Sequence, residues 1–267
     1  MLDNQTLKDL ISQRKSTRTY SGKELSDEQI WHIKSFINSP DNKKGIFGFV
    51  RFELLENKSN TVFGAYGDIV GAPYYIAIVT KNNKNALLDA GYAFERVILF
   101  VENMGLRTCW LAATSFDRNE AELRVNLADD EIIAAISPIG EKAAEQSDRE
   151  MIERERLGSD SRLNFDTLFG DASTGGTIAD KHERENLEMV RIAPSALNNQ
   201  PWRVVIDNSV AHFYVIRRFI LPLNYDFQML DLGAAVHHYC LAANKYDCFQ
   251  LDAHSKEDLE YVISVKK

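Results

Sequence analysis

The sequence predicts a fold that mixes helices and strands, with an internal duplication about a pseudo-twofold axis, and three observations favour this architecture. Short apolar runs typical of strands alternate with amphipathic helices. The clearest helix, predicted over 87–104, has a partial repeat near the end of the chain. A polar, Gly-rich loop at 171–176 separates the two parts. We therefore expect a first unit over 1–175 and a partial second repeat over 176–267.

The individual elements follow from local signals. Ser26 and Gln29 have the spacing of a capping box, which opens a helix that ends near 38–42. Gly105 ends the long helix. The segment 74–79 is nearly all apolar, which indicates a buried central strand. Similar local signals predict further helices that begin near 6 and 117, and further strands over 47–55, 109–113, 132–139 and 203–206. The highly charged stretch 141–156 is expected to be a solvated helix or a connector.

The duplication is carried by a short motif in two helices. Leu88-Asp89-x-Gly91-x-Ala93 recurs as Leu230-Asp231-x-Gly233-x-Ala235, 142 residues later. A glycine inside a helix costs about 1 kcal/mol relative to alanine, so it usually marks a close approach of two backbones. We expect the two helices to pack face to face, although a match of this length also arises by chance.

Composition excludes several classes of function. The 267 residues are 45% hydrophobic, enough for a sizeable core, and the net charge of −8 with a pI near 5.3 argues against nucleic acid or an anionic membrane as partner. The apolar runs are too short to span a bilayer, and the first residues do not form a signal peptide. Three cysteines without a Cys-x-x-Cys pattern indicate free thiols, so we expect a cytoplasmic protein.

A basic cluster at Arg14-Lys15-Ser16-Thr17-Arg18 is the first candidate for binding. Arginine can donate two parallel hydrogen bonds to a phosphate, lysine adds a point charge, and Ser16 adds a neutral donor. In an acidic protein such a cluster can hold an anion locally. The alternative is an ordinary solvated basic turn.

The second candidate is the loop Ala193-Pro194-Ser195-Ala196-Leu197-Asn198-Asn199-Gln200-Pro201-Trp202. Two prolines make it rigid, and exposed amides at Asn198 and Gln200 would suit the edge of a heterocycle, which needs donors and acceptors. Trp202 is expected to anchor the loop in the core. The alternative is a purely structural loop.

These motifs together resemble the nitroreductase family of flavoproteins. The resemblance rests on Arg-x-Ser-x-Arg after the first helix, Asp-x-Gly in a buried helix, Gly-Leu-x-Thr-Cys-Trp after it, and Ala-Pro-Ser-Ala-x-Asn-x-Gln-Pro-Trp. It covers about 7–170 and 185–245, and it points to a branch in which two subunits are fused, the putative TM nitroreductase type. It implies a nitroreductase-like α+β fold in which a mixed, mostly antiparallel sheet is flanked by helices, with FMN as the cofactor.

The resemblance also assigns site residues. Pro194, Ser195, Ala196 and Asn198 match the loop that a partner subunit normally brings to the flavin. Ala112 and Ala113 match the strand end whose backbone N–H faces the flavin N5. The phosphate would be held by Arg14, Lys15, Ser16, Arg18 and Arg162.

The order of the motifs departs from the family. A typical member carries the Pro-Ser loop some thirty residues after the basic motif, where this chain has lost the pattern at 37–45. The second half has the loop and lacks the basic motif, so we expect one shared flavin site in a chain that works as a monomer. Asp160 replaces a family cation, and the stretch 63–67 lacks the Asn and Lys of some members, which predicts weaker flavin binding.

The remaining candidates are weaker. His237 and His238 are adjacent on a helix, point in different directions and do not form a chelating pair, so we expect interface or surface histidines and no metal. Cys109 is expected to be buried and inert. Ser195 lacks the Gly-x-Ser-x-Gly context of a hydrolase nucleophile. No side chain is needed as an acid or base, so no catalytic residue is nominated.

The function implied by the resemblance is hydride transfer. NAD(P)H would reduce the flavin, which would pass electrons to a nitroaromatic, a quinone or a similar acceptor. Two alternatives remain open: a flavin-binding or sensing protein without turnover, and a structural pseudo-dimer that binds no flavin.

Overall fold

The computed structural model describes residues 4–57, 69–112, 124–208, 210–217, 224–251 and 259–266. Helices and strands alternate along these ranges, as the apolar periodicities predict. The helices in these ranges are α1 (Asn4–Gln13), α2 (Asp27–Asn38), α3 (Pro40–Lys43), α4 (Lys84–Asn103), α5 (Asp148–Arg156), α6 (Phe165–Leu168), α7 (Lys181–Arg191) and α8 (Phe227–Ala243), together with a 3-10 turn at Ala196–Asn198.

The strands form two five-stranded sheets. The first is ordered β1-β2-β5-β3, with β4 also paired to β5, and the second is ordered β6-β7-β8-β10-β9. All of the pairings are antiparallel except β6 with β7. The strands are β1 (Arg51–Glu56), β2 (Tyr74–Lys81), β3 (Arg107–Thr108), β4 (Leu111–Ala112), β5 (Glu131–Gly140), β6 (Phe169–Asp171), β7 (Trp202–Asp207), β8 (Val210–Val215), β9 (Phe249–Gln250) and β10 (Glu260–Lys266).

Two helices cross at the centre of the molecule. α4 packs on β2 and β5, α8 packs on β7 and β8, and the two helices pack against each other. A Cβ on Gly91 would overlap the carbonyl of Leu230, and a Cβ on Gly233 would overlap the carbonyl of Leu88. The backbones therefore touch at both glycines, as their place inside the helices predicts. One continuous apolar core runs from the first sheet through this crossing into the second.

Most local predictions agree with the structure. The capping box at Ser26 and Gln29 is present in both directions, and Gly105 adopts a φ of 80° at the end of α4. The strand predicted over 47–55 begins only at Arg51. The preceding residues turn instead, because the carboxylate of Asp89 accepts the N–H groups of Ile46 and Phe47 and removes them from strand pairing.

The predicted α+β, nitroreductase-like class is confirmed. There are two sheets where the sequence suggested one. The duplication about a pseudo-twofold axis stays a prediction, as does the boundary at 175; β6, just before that boundary, pairs with β7 in the second sheet. The helix predicted near 117 lies outside the described residues. Within the described ranges, none of the helices has the length and apolar character needed to cross a bilayer.

Candidate functional site

A cavity of about 930 Å³ lies where the two parts of the chain meet, a volume that suits a cofactor-sized ligand. One wall comes from the residues after α1, the end of β4 and the loop that follows α5. The opposite wall comes from the loop before β7 and the first turns of α8. Elements far apart in sequence therefore build a single site.

The cavity is lined by cations whose hydrogen-bonding capacity is only partly used within the protein. The side-chain nitrogens Nε and Nη1 of Arg14, Nη1 of Arg18 and Nε of Arg162 are buried, and no described residue accepts a hydrogen bond from them. Arg14 Nε lies 4.0 Å from Glu95 Oε1, too far for a hydrogen bond. Buried donors without acceptors are unfavourable, so this wall is chemically incomplete without an anion.

Electrostatic repulsion among these cations adds to the unfavourable energy of the unpaired donors. Burial lowers the pKa of the Arg162 guanidinium below its usual range, and the nearby charges of Arg14, Arg191 and Arg154 lower it further. Arg162 Nη1 donates to the carbonyls of Ser159 and Ser161, so its position is fixed by its own loop. An anion placed among these groups would relieve the repulsion as well as accept the free N–H donors.

Asp160, which replaces a cation of the family pattern, forms ion pairs with two of the cavity cations. Its carboxylate lies 2.7 Å from Arg154 Nη2 and 3.3 Å from Lys15 Nζ. The hydrogen bond from Arg154, and then that from Lys15, lowers the pKa of this carboxyl. Arg154 also donates to the Ser16 carbonyl at 3.2 Å. Asp160 thus engages two cations at the rim and leaves the buried arginines unpaired.

The loop before β7 is held in a strained backbone. Leu197 and Asn198 have φ angles of 54° and 55°, a left-handed conformation that is uncommon for such residues. Several hydrogen bonds fix it: Ser195 Oγ accepts from the Gln200 N–H at 3.0 Å, and Asp231 Oδ1 accepts from the Ala196 N–H at 2.9 Å. The loop is therefore a preformed wall.

The amide side chains of this loop also form hydrogen bonds within the protein. Asn198 Nδ2 donates to the carbonyls of Leu157, Gly158 and Ser161, and so ties the loop to the opposite wall. Gln200 was expected to be exposed but is buried, where its Oε1 accepts from the Leu163 N–H. Trp202 is fully buried, so its predicted role as a core anchor is confirmed.

A buried polar network lies behind the cavity wall. Glu95 accepts hydrogen bonds from Trp110 Nε1 at 2.7 Å and lies 2.8 Å from His238 Nε2, while His238 Nδ1 meets the Met189 carbonyl at 2.9 Å. His238 and His237 are both buried, so a surface position is wrong for either. They point in different directions, because His237 packs edge-on against the ring of Tyr92.

The cysteines are free thiols in the structure, and Cys109 and Cys240 are buried. Burial raises the pKa of both thiols. Arg18 and Arg14 lie near Cys109 and oppose the shift, a proximity that its local sequence did not indicate. Burial has the largest effect on this pKa, and the buried position predicted for Cys109 is confirmed, while its inertness stays a prediction. In the part of the chain that the structure describes, no three His, Cys, Asp or Glu side chains are grouped to hold a metal ion.

The predicted cofactor residues gather around this cavity, with one exception that lies outside the described residues, Ala113. The stretch 63–67 also lies outside them. The predicted residues that line the cavity are Arg14, Lys15, Ser16, Arg18, Ala112, Arg162, Pro194, Ser195, Ala196 and Asn198.

Several lining residues escaped the sequence argument. Asp231 belongs to the repeated Asp-x-Gly motif, so its signal was visible, but the motif was interpreted only as helix packing. Arg154 and Arg191 carry no motif, since each stands in a charged helix of ordinary composition. Only the folded chain brings these charges to the cavity.

Comparison with known proteins identifies the family. The family model described as "Putative TM nitroreductase" matches residues 6–243. The chain therefore belongs to the TM nitroreductase family. No curated protein sequence matches it at a significant level.

A solved structure shows the same fold, and two further nitroreductase structures are weaker matches. A crystal structure described as a "putative nitroreductase" from Thermotoga maritima is 19% identical with a TM-score of 0.63, covering 97% of this chain and 93% of that chain. A nitroreductase family protein from Clostridium novyi NT is 18% identical with a TM-score of 0.42, covering 54% and 89%. An FMN-dependent nitroreductase from Clostridium difficile R20291 is 19% identical with a TM-score of 0.39, covering 55% and 95%.

Proposed function

We propose that this chain is an FMN-dependent oxidoreductase that binds one FMN in the cavity between its two parts. The observation that carries the proposal is the set of buried, unpaired guanidinium nitrogens on Arg14, Arg18 and Arg162. A phosphate monoester has the charge and the acceptor oxygens that these donors lack. The family relationship and the FMN named for the Clostridium difficile structure support the same ligand.

The residues present fit both ends of such a ligand. The cationic wall suits a terminal phosphate, which favours FMN over FAD. Besides the arginines, the lining includes Trp110, Pro194 and Leu230, apolar surfaces against which a flat heterocycle can pack. Ala112, at the end of β4, lies in the same cavity and would offer its backbone N–H to the ring.

FMN, when bound, supplies the redox chemistry by accepting hydride from a reduced nicotinamide and passing electrons to an oxidised acceptor such as a nitroaromatic or a quinone. The chain's own residues bind and orient. Arg14, Arg18 and Arg162 would fix the phosphate, and the loop before β7 would form a rigid face beside the ring. Because one chain supplies both walls, we expect a monomer to be competent, which light scattering of the active protein would test.

The deciding experiment is the visible absorption spectrum of the purified protein, followed by release and chromatography of its cofactor. We expect a flavin spectrum, FMN as the only flavin released, and oxidation of NADH or NADPH when a quinone is added. Colourless protein that FMN does not stabilise thermally would contradict the proposal. A yellow protein that oxidises neither NADH nor NADPH would indicate flavin binding without turnover.

A further inference from the structure

Asp231 is a buried carboxyl at the cavity wall, and the protein satisfies only one of its two oxygens. It lies on α8, is only 7% exposed, and lines the cavity. One carboxyl oxygen, Oδ1, accepts the N–H of Ala196 at 2.9 Å. The other, Oδ2, is buried and has no partner among the described residues. An unsatisfied carboxyl oxygen at a cavity wall is unfavourable unless something else completes it.

Asp89, its counterpart in the first helix of the repeated motif, differs in this respect. Asp89 Oδ1 accepts two N–H groups, those of Ile46 at 2.6 Å and Phe47 at 2.8 Å. Asp89 is not part of the cavity lining and its oxygens are not among the unsatisfied atoms. The two residues occupy equal positions in the motif, but only Asp231 has an oxygen to spare beside a cavity.

The protonation state of Asp231 follows from its surroundings. Burial raises the pKa of this carboxyl to about 8, and the charge of Asp226 adds to the shift, against the lowering effect of the Ala196 N–H. Near neutral pH the group is therefore a neutral acid. Since Oδ1 accepts a hydrogen bond, the proton resides on Oδ2, which becomes a free O–H donor.

The charged groups around Asp231 do not supply an acceptor for this donor. The neighbours Leu230 and Ala234 on the cavity side are apolar. The charged and titratable groups on elements that pack on α8 or line the cavity include Asp89 and Glu95 (α4), Arg14, Lys15 and Arg18 (after α1), Arg191 (α7), and Glu153, Arg154, Arg156, Asp160 and Arg162 (α5 and the following loop); α8 itself carries His237 and His238, and Asp226 precedes it. The carboxylates of Asp89, Glu95, Glu153, Asp160 and Asp226 are all bonded elsewhere.

We infer that Asp231 is a ligand-binding residue of the cavity: Oδ1 fixes the loop at Ala196, and the Oδ2 hydroxyl donates a hydrogen bond to a carbonyl oxygen or ring nitrogen of the bound heterocycle. The identity of that heterocycle as a flavin rests on the proposed function. The assignment adds a polar contact from α8 to the contacts that the arginines would make with the ligand.

The inference predicts how binding changes with pH. The protonated carboxyl of Asp231 donates a hydrogen bond to the ligand. Above pH 8 this group is a carboxylate, and its negative charge would face a hydrogen-bond acceptor of the ligand. Affinity should therefore be constant below the pKa and fall above it. One proton is lost per site, so the limiting slope is about tenfold in Kd for each pH unit.

The test is titration with FMN, followed by quenching of flavin fluorescence, at about pH 6.5 to about pH 9.5. This window lies above the second pKa of a phosphate monoester, about 6, and below the pKa of lysine, about 10.4. The proteins compared are the wild type, Asp231→Asn, Asp231→Leu and the matched control Asp89→Asn, each with a thermal melt to verify folding.

We expect the wild type and Asp89→Asn to bind about 30-fold more weakly at the top of the window than at neutral pH, since the window ends about 1.5 pH units above the pKa of Asp231. Asp231→Asn keeps a neutral donor, so its affinity should stay close to the neutral-pH wild-type value throughout. Asp231→Leu loses both bonds and should bind at least about tenfold more weakly at every pH.

Wild-type affinity that does not change across the window, or an Asp231→Asn profile equal to that of the wild type, would overturn the assignment while leaving FMN binding intact. If Asp231→Asn fails to fold, the wild-type profile alone decides between these outcomes. Wild-type protein that binds no FMN at any pH would instead refute the proposed function, and the assignment with it.

Discussion

Two loops of this protein are held to the central helices by the same kind of contact, in which a helix aspartate accepts backbone N–H groups. Only one of these loops borders a binding cavity. In the first half, Asp89 on α4 holds the turn at Ile46 and Phe47. In the second half, Asp231 on α8 holds the loop at Ala196. A Cβ on Gly45 would lie 2.5 Å from the Asp89 side chain, so the first turn closes directly over its carboxylate. The second loop stands open over the cavity.

The difference lies in what surrounds each loop. The Ala196 loop faces Arg14, Arg18 and Arg162, whose buried nitrogens lack protein acceptors. The turn over Asp89 is satisfied internally by two N–H groups. The same aspartate–backbone contact therefore occurs in both halves. It belongs to a candidate binding site only in the second half, where the first half of the chain contributes arginines with unpaired nitrogens. The following predictions test this comparison.

The helix crossing supports both loops, so disrupting it should have the largest effect. Gly91→Ala would push on the carbonyl of Leu230, next to Asp231, and Gly233→Ala on that of Leu88, next to Asp89. We expect each to lower the free energy of unfolding by about 3 kcal/mol and Tm by roughly 6–12 °C. Urea and thermal denaturation measure this.

Gly176→Ala is the control, since the nearest atom to its Cβ would be 3.9 Å away. It should change stability by less than about 0.5 kcal/mol. Equal stability of all three variants would show that the backbones do not touch at the crossing.

Residues from the two halves should contribute to one FMN-binding event. Arg18→Ala removes charge-assisted donors and should raise the Kd about 10- to 100-fold. Asn198→Ala releases the loop carbonyls of Leu157, Gly158 and Ser161, and should raise it about tenfold. Fluorescence titration should give one FMN per chain.

Asp41→Ala, an exposed residue where typical members carry the Pro-Ser loop, should leave the Kd unchanged. Two equivalents of FMN per chain would refute the shared site. So would an Asn198→Ala protein that binds as tightly as the wild type.

The raised pKa of Asp231 should make stability depend on pH. The folded protein holds this proton up to about pH 8, whereas the unfolded chain releases it near the ordinary value of 3.8. The contribution of Asp231 is therefore complete below pH 3.8 and declines as pH rises to about 8. Between these values the wild type should lose up to about 1.4 kcal/mol per pH unit relative to Asp231→Asn.

Urea denaturation at several pH values measures this difference. Asp89→Asn should show a smaller change, because N–H groups of Phe47, Ile46 and Gly48 counteract the rise in the pKa of Asp89 that burial causes. A difference between the wild type and Asp231→Asn that is independent of pH would contradict the protonation state assigned to Asp231.

The smallest effect concerns the exposed rim. Asp160→Asn frees Lys15 and Arg154 from their shared counter-ion and should tighten FMN binding about two- to fivefold at low salt, with less effect at high salt. Glu141→Gln, which breaks a comparably exposed pair with Lys23, is the control and should not alter the Kd. Weaker binding in Asp160→Asn would mean that Asp160 positions the cations for the ligand.

The sequence was informative where a local rule sufficed. The period of the apolar residues located α4, and the glycine at position 91 predicted a backbone contact because it is otherwise unfavourable within a helix. It was uninformative where burial depends on distant segments. The turn before β1, the burial of Gln200 and the burial of both helix histidines depend on partners that lie far away along the chain.

By itself the sequence determined the family, most of the elements and the motif residues that gather around the cavity, because these depend on short-range patterns and on contiguous motifs. The tertiary structure decided how each side chain is used, and it added Asp231, Arg154 and Arg191 to the lining. Asn198 donates to carbonyls of the loop after α5, Asp160 pairs with two cations, and Asp231 is buried with one carboxyl oxygen unpaired. Hydrogen bonding and desolvation act over a few ångströms, and only folding determines which groups come that close.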